Sequence, residues 1–168
     1  MPEQSRRFVV TGAAGGIGMA VAAAALREGN RVALLDRQLV AEVGDTDSLG
    51  ASVEHRLDLG TDVSDAVEVE TAFAAVSAEW GGIDVLVNCA GIAEPTPVIN
   101  ADIDAWDRII ATNLLKRDFA LSAVLPLVDP ESNVSCSRVR CRSGSPEARR
   151  KVILLILNTP RRTLVVEH

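Results

Sequence analysis

The chain has 168 residues, 48% of them hydrophobic and 24% charged, a composition that supports a buried core and excludes a disordered polymer. Its formal net charge of -6 argues against a general nucleic-acid surface. The longest apolar run near the C-terminus, Val152 to Leu157, falls far short of the roughly 20 residues of a membrane helix, and the polar opening MPEQSRR runs straight into strand-like sequence, so neither a membrane partner nor a secretory leader is expected.

In chain order, RFVVT (Arg7 to Thr11) reads as a short buried strand and is followed by TGAAGGIG, Thr11 to Gly18, with four glycines in eight positions. Ile17, Val21, Ala24 and Ala25 then recur at helical spacing up to Gly29, a natural helix stop. RVALLD (Arg31 to Asp36) is a second strand, apolar on both faces as a central parallel strand should be. SVEHRLDL (Ser52 to Leu59) is expected as a third strand. From Ser64 as N-cap, Val69, Phe73, Val76 and Trp80 form one stripe that ends at Gly81-Gly82. IDVLVN (Ile83 to Asn88) is a fourth strand, and after a loop a long helix is expected from Asp104 to Leu127, carrying Trp106, Ile109, Ile110, Leu114 and Leu121. The alternation predicts an α/β fold with a Rossmann-type, doubly wound parallel sheet.

Beyond Pro126 the regularity fails. Residues 1–128 carry 9 basic and 19 acidic side chains, net -10, whereas 129–168 carry 8 basic and 4 acidic, net +4. The chain therefore divides into a domain over 1–128 and a divergent basic tail over 129–168, irregular apart from one or two strands. Three cysteines, Cys89, Cys136 and Cys141, match no zinc spacing; no metal site is expected, and the odd count fits a reducing cytoplasm.

A glycine-rich turn between a strand and a helix suits a phosphate, because absent side chains let backbone N–H groups approach and the helix N-terminus adds partial positive charge. Asp36 closes the second strand 18 residues after Gly18, where a carboxylate can accept hydrogen bonds from ribose hydroxyls and repel a 2′-phosphate. NAD is favoured over NADP, with Arg37 beside it as a counter-indication.

The spacing Thr11-Gly12-x-x-x-Gly16-Ile17-Gly18, with DVSD (Asp62 to Asp65), NCAG (Asn88 to Gly91) and TNLLKRDFALSAVLPL from Thr112, resembles the short-chain dehydrogenase/reductase family over residues 7 to about 128. The resemblance implies a truncated family domain that binds NAD(H) through Gly12, Gly16, Ile17, Gly18 and Asp36. It further implies that Asp62 and Val63 bind adenine, that Asn88, Ala90 and Gly91 line the cofactor, and that Asn113 is catalytic. A homo-oligomer and a small alcohol or carbonyl substrate are typical of the family.

The resemblance also implies a tyrosine, with a lysine four residues later, as the proton-transfer pair. A tyrosine with a pKa of about 10 needs such a cation to act near neutrality. The chain has no tyrosine, and its two lysines are Lys116 and Lys151. NVSCS (Asn133 to Ser137) resembles the end of the family's serine-bearing strand, with Ser135 or Cys136 in the serine's register; His55 and His168 are read as incidental. The family helix that usually builds the subunit interface is also missing. The expectation is an oxidoreductase by resemblance, dinucleotide-binding but catalytically impaired. The alternative is a non-catalytic or regulatory dinucleotide-binding module that uses its basic tail for a partner. An altered reading frame after Val128 would account for the abrupt change and is checked in the coding DNA.

Overall fold

Runs of β-branched and leucine residues in Arg7–Thr11 (β1), Arg31–Asp36 (β2), Arg56–Gly60 (β3) and Val85–Asn88 (β4) pair as one parallel sheet in the order β3-β2-β1-β4. A computed structural model describes residues 5–40, 49, 53–92, 102–110, 112–113, 133–140 and 151–158. Val9 pairs with Ala33 and Leu86, and Val10 with Leu34 and Val87, so β1 is central and its side chains alternate between two cores. Val9, Ala33, Leu35 and Leu86 face Val69, Ala72, Phe73 and Val76 of the helix Ala66–Trp80 (α2). On the other side Val10, Val32, Leu34, Val85 and Val87 pack with Ala22, Ala25 and Leu26 of the helix Gly16–Arg27 (α1).

The α2 stripe is buried as expected, but the helix starts later. Asp65, not Ser64, is the N-cap: its carboxylate accepts from the N–H groups of Val67 (2.8 Å) and Glu68 (3.2 Å). Ser64 instead donates its N–H to the Asp62 carboxylate at 2.8 Å, which holds it in the preceding turn. At the far end Gly81, at φ 77°, closes the helix.

In α1 the alanine-rich face lets the helix lie close to the sheet, and Ala24, expected on that face, is exposed. The C-terminus is closed by Gly29 at φ 80°, with the N–H of Gly29 on Leu26 O (2.9 Å) and that of Asn30 on Ala25 O (3.1 Å). The Asn30 side chain also accepts the Arg6 N–H at 3.0 Å, fastening the helix end to the entry of β1. The third strand is shorter than expected, because Val53–His55 forms a 3-10 turn and extended structure begins at Arg56.

The next helix begins at Ile103, is α-helical through Ile110 (α3) and takes a π-type turn at 112–113. Leu114, Leu121 and the rest of the expected helix to Leu127 lie outside the described residues. In α3 the residue held in the interior is Ala105, whereas Ile103 and Trp106 are 75% and 59% exposed.

Two strands of the basic tail extend the sheet, giving six strands among the described residues: Asn133–Arg140 (β5) and Lys151–Asn158 (β6), in the order β3-β2-β1-β4-β6-β5. β6 pairs antiparallel with β4, Asn88 opposite Ile153, and β5 pairs antiparallel with β6. In the doubly wound order, a fifth strand would lie parallel beside β4. That place is taken by β6, running the opposite way. Among the described residues no helix is long and apolar enough to cross a membrane.

Candidate functional site

The carboxyl ends of β1, β2 and β4 meet around the glycine turn. β1 ends at Thr11, 2% exposed, whose backbone O accepts the Cys89 N–H (3.2 Å) and whose Oγ1 accepts the Ala90 N–H (3.3 Å). These bonds lace β1 to the strand bearing NCAG. Gly12 then turns the chain at φ 66°, with Ala90 so close that a Cβ would lie 2.6 Å from its N and 2.7 Å from its Cα. Both the left-handed backbone and the close approach demand glycine here.

Gly15 donates its N–H to Gly12 O at 3.1 Å and becomes the N-cap of α1. A Cβ at Gly18 would collide with the Gly12 carbonyl oxygen and lie 3.0 Å from Ala13 Cα, so Gly18 is what lets helix and turn touch. Gly16 differs, because a Cβ there would meet nothing within 4 Å. The protein's own packing does not require that glycine. Beside it the first turn of α1 has no side-chain cap and no acidic residue, leaving the N–H groups and partial positive charge of a helix start for an anion. Ile17 is half-buried against the α1-side core.

Asp36 closes β2 beside this turn. Its Oδ2 accepts the Ala14 N–H at 3.1 Å, which fixes the carboxylate at the rim of the glycine turn, while Arg37 is exposed. Asp62 sits on the same side of the fold but spends its carboxylate on Ser64, accepting from the N–H at 2.8 Å and from Oγ at 2.5 Å. Val63, expected against an adenine ring, is 8% exposed and lies in the α2-side core with Phe73 and Leu35. Asn88 ends β4, half-buried; Ala90 packs against the same core as Val63, and Gly91 is exposed.

Asn113, expected as catalytic, makes two backbone bonds: its Oδ1 accepts the Ile92 N–H at 2.9 Å and its Nδ2 donates to Ile92 O at 2.8 Å. In this structure its amide is a clamp on the segment after β4. A Cβ on Gly91 would lie 3.1 Å from Asn113 Oδ1, so glycine leaves room for the clamp.

The serine register fails. Ser135 pairs with Ile156, which pairs with Val85, so Ser135 lies level with the start of β4, three residues below Asn88 and the glycine turn. At about 3.3 Å per residue this is roughly 10 Å too low, and Cys136, level with Leu86, is one step nearer. Antiparallel insertion of β6 is the cause. His55 lies in the 3-10 turn at the amino end of β3, the end remote from the cradle. Thr11 is the contact the sequence reading passed over; the signal is a lone hydroxyl closing an otherwise apolar strand.

A sequence profile of the family described as short chain dehydrogenase matches residues 6–134. The chain belongs to the short chain dehydrogenase family. This family uses nicotinamide dinucleotides. D-threitol dehydrogenase of Mycolicibacterium smegmatis is 40% identical over 106 residues, which cover 63% of this chain and 41% of that protein. An uncharacterized oxidoreductase of Staphylococcus haemolyticus is 28% identical over 161 residues, covering 91% of this chain and 69% of that one. Among solved structures, a short-chain dehydrogenase/reductase of Brucella melitensis superposes with a TM-score of 0.68 at 34% identity, over 73% of this chain and 51% of that one. The chain thus spans only about two-fifths of the threitol dehydrogenase and half of the solved relative.

Proposed function

We propose that this short chain dehydrogenase chain binds NAD(H) in the cradle formed by Gly12, Gly16, Gly18 and Asp36, and that it turns over alcohols or carbonyls poorly or not at all. The open space at Gly16 carries the reading: packing explains Gly12 and Gly18, whereas Gly16 is left for a ligand's diphosphate at the uncapped start of α1. The residues present fit a dinucleotide. The first-turn N–H groups of α1 would hold the diphosphate, and Asp36 would accept from the adenosine ribose, which disfavours a 2′-phosphate. Asn88 and Gly91 lie at the same end of the sheet, Val63 and Ala90 pack in the core beneath it, and Asp62 orders the turn that follows β3.

The bound dinucleotide supplies hydride chemistry, but proton transfer at the substrate oxygen needs a general acid or base from the protein. With no tyrosine in the chain and Ser135 placed well below the cradle, the usual route is closed. The loss of general acid–base catalysis lowers a rate by about 10² to 10⁴. Asn113 then contributes by holding Ile92 and the segment after β4 rather than by touching reactants.

The test is a fluorescence titration of the full chain with NADH, followed by assays on a panel of small alcohols and ketones. Binding without turnover is expected. Turnover at ordinary enzymatic rates would overturn the impaired reading, and absence of NADH binding would overturn the cradle itself.

A further inference from the structure

Thr11 pairs with Leu35 and with Asn88, and Asp36 pairs with Gly60, so β1, β2, β3 and β4 deliver their carboxyl ends close to one level of the sheet. A doubly wound sheet binds a dinucleotide across two mononucleotide-binding halves, each built from strands whose carboxyl ends face the ligand, on either side of the point where the strand order reverses. On the β1 side that half is complete. β1, β2 and β3 run the same way, and their ends carry the glycine turn, the Asp36 carboxylate held by the Ala14 N–H, and the turn ordered by Asp62.

On the other side β4 alone runs that way among the described strands. β6 pairs along Val85–Asn88 in the opposite direction, so it occupies the edge of β4 at which a parallel fifth strand would join. With Ile153 level with Asn88, β6 starts at the ligand end and runs away from it, and β5 follows on the far side. The second half thus offers one carboxyl end where the first offers three. Asn113, beside that one end, has its amide oxygen and nitrogen on the Ile92 backbone.

The contacts that the complete half can make are those of a nucleoside diphosphate. The uncapped start of α1 beside the open Gly16 takes the diphosphate, and Asp36 takes ribose hydroxyls. Resting on the dinucleotide reading above, we infer that this chain is a nucleoside-diphosphate half-site: it holds the ADP half of NAD(H), and the nicotinamide half adds little to binding. Esters of ADP that carry no nicotinamide are then ligands of the same standing as NADH. A nicotinamide that is not positioned gives hydride transfer no fixed geometry, a second reason for poor turnover beside the missing proton donor.

The full chain is titrated calorimetrically with NADH, with ADP-ribose, which keeps the same diphosphate diester, and with reduced nicotinamide mononucleotide. ADP-ribose is expected to bind within about threefold of NADH, and the mononucleotide about a hundred times more weakly or not at all. Gly16→Ala is expected to weaken ADP-ribose and NADH by the same factor, about tenfold or more, with thermal unfolding showing that the variant is folded. NADH binding about tenfold or more tighter than ADP-ribose overturns the half-site and leaves the dinucleotide reading standing. A Gly16→Ala loss confined to NADH, or mononucleotide binding as tight as that of NADH, does the same. ADP-ribose binding without NADH binding upholds the half-site and removes the dinucleotide reading. Binding of neither removes both.

Discussion

Asn113 holds Ile92 by both backbone groups, its Oδ1 accepting the N–H at 2.9 Å and its Nδ2 donating to the carbonyl at 2.8 Å. This pairing ties the start of the π-type turn after α3 to the strand end that walls the cradle. In Asn113→Asp only one of the two bonds survives, and a carboxylate oxygen faces the Ile92 carbonyl. Asn113→Asp is therefore expected to be worse than Asn113→Ala, each lost bond costing about 1 kcal/mol. Faster amide exchange at Ile92, with NADH binding weakened more in the aspartate variant, is the expected result. Unchanged exchange would show that the clamp does not order this segment.

Gly16 and Gly18 are two residues apart and should respond oppositely to alanine. Gly18→Ala forces a methyl into the Gly12 carbonyl, and overpacking against backbone costs about 1–3 kcal/mol. Gly16→Ala meets no atom within 4 Å and gains helix propensity, so stability holds or rises by up to about 1 kcal/mol. Its methyl nonetheless fills space assigned to the diphosphate, and NADH affinity is expected to fall by about tenfold or more, a change of about 1.4 kcal/mol. Thermal unfolding and NADH titration of the two variants separate a packing glycine from a ligand glycine.

On the proposed NAD(H) reading, Asp36 sets the cofactor preference through its charge. Asp36→Asn keeps an oxygen for the Ala14 N–H, a 3.1 Å bond in the parent, but removes the repulsion of a 2′-phosphate. The ratio of NADPH to NADH dissociation constants is expected to narrow by about tenfold, mostly through better NADPH binding with the exposed Arg37 alongside. Parallel titrations with both nucleotides read this out, and an unchanged ratio would place the selectivity elsewhere.

The cradle was legible because its requirements are local: a strand end, glycines at fixed spacing and an acid at the next strand end all lie on 30 residues of chain. The α2 stripe was legible for the same reason, as Val69, Phe73 and Val76 have a 3.6-residue period and are buried. Finer boundaries turned on competing hydrogen bonds, so that Asp62 draws Ser64 into a turn and leaves Asp65 to cap. Val63 could not be placed by motif alone, since one valine serves equally as a ring contact or a core residue until its neighbours are known. One or two strands were expected in the tail, but their pairing and direction were out of reach. A run such as Val152 to Leu157 is apolar on both faces whichever way it runs, and strand direction, which decides the level of Ser135 and the place of Lys151, leaves no mark in periodicity.

Arg7 and Asp84 lock the opposite end of the sheet. The Arg7 N–H and Nε both donate to Asp84 Oδ2 at 2.8 Å, Nη2 donates to Oδ1 at 2.7 Å, and Asp84 returns its own N–H to Arg7 O at 2.9 Å. Burial alone would raise the Asp84 carboxyl, but hydrogen bonds from the Arg7 guanidinium and backbone, with their charge, outweigh it and hold Asp84 below its ordinary value. The hydrogen bond to Asp84 raises Arg7 in turn, against the pull of burial. A depressed carboxyl stabilises the fold at pH above its unfolded value, about 3.9, and this contribution is lost as pH falls through the lower folded value. The raised Arg7 adds no pH dependence between acid and neutral conditions, because it is charged in both states there. Asp84→Asn is therefore expected to lower stability by about 1–3 kcal/mol near pH 7, the range for hydrogen bonds to charged groups. The gap from the parent chain should close below about pH 4 as Asp84 itself protonates. Because Arg7 opens β1 and Asp84 precedes β4, both lie at the amino ends of the strands, away from the glycine turn, and NADH affinity should stay within about twofold. Urea unfolding of both chains from pH 3 to 8 gives the first quantity and NADH titration the second; a gap that persists undiminished at pH 3 would mean that Asp84 acts through shape rather than charge.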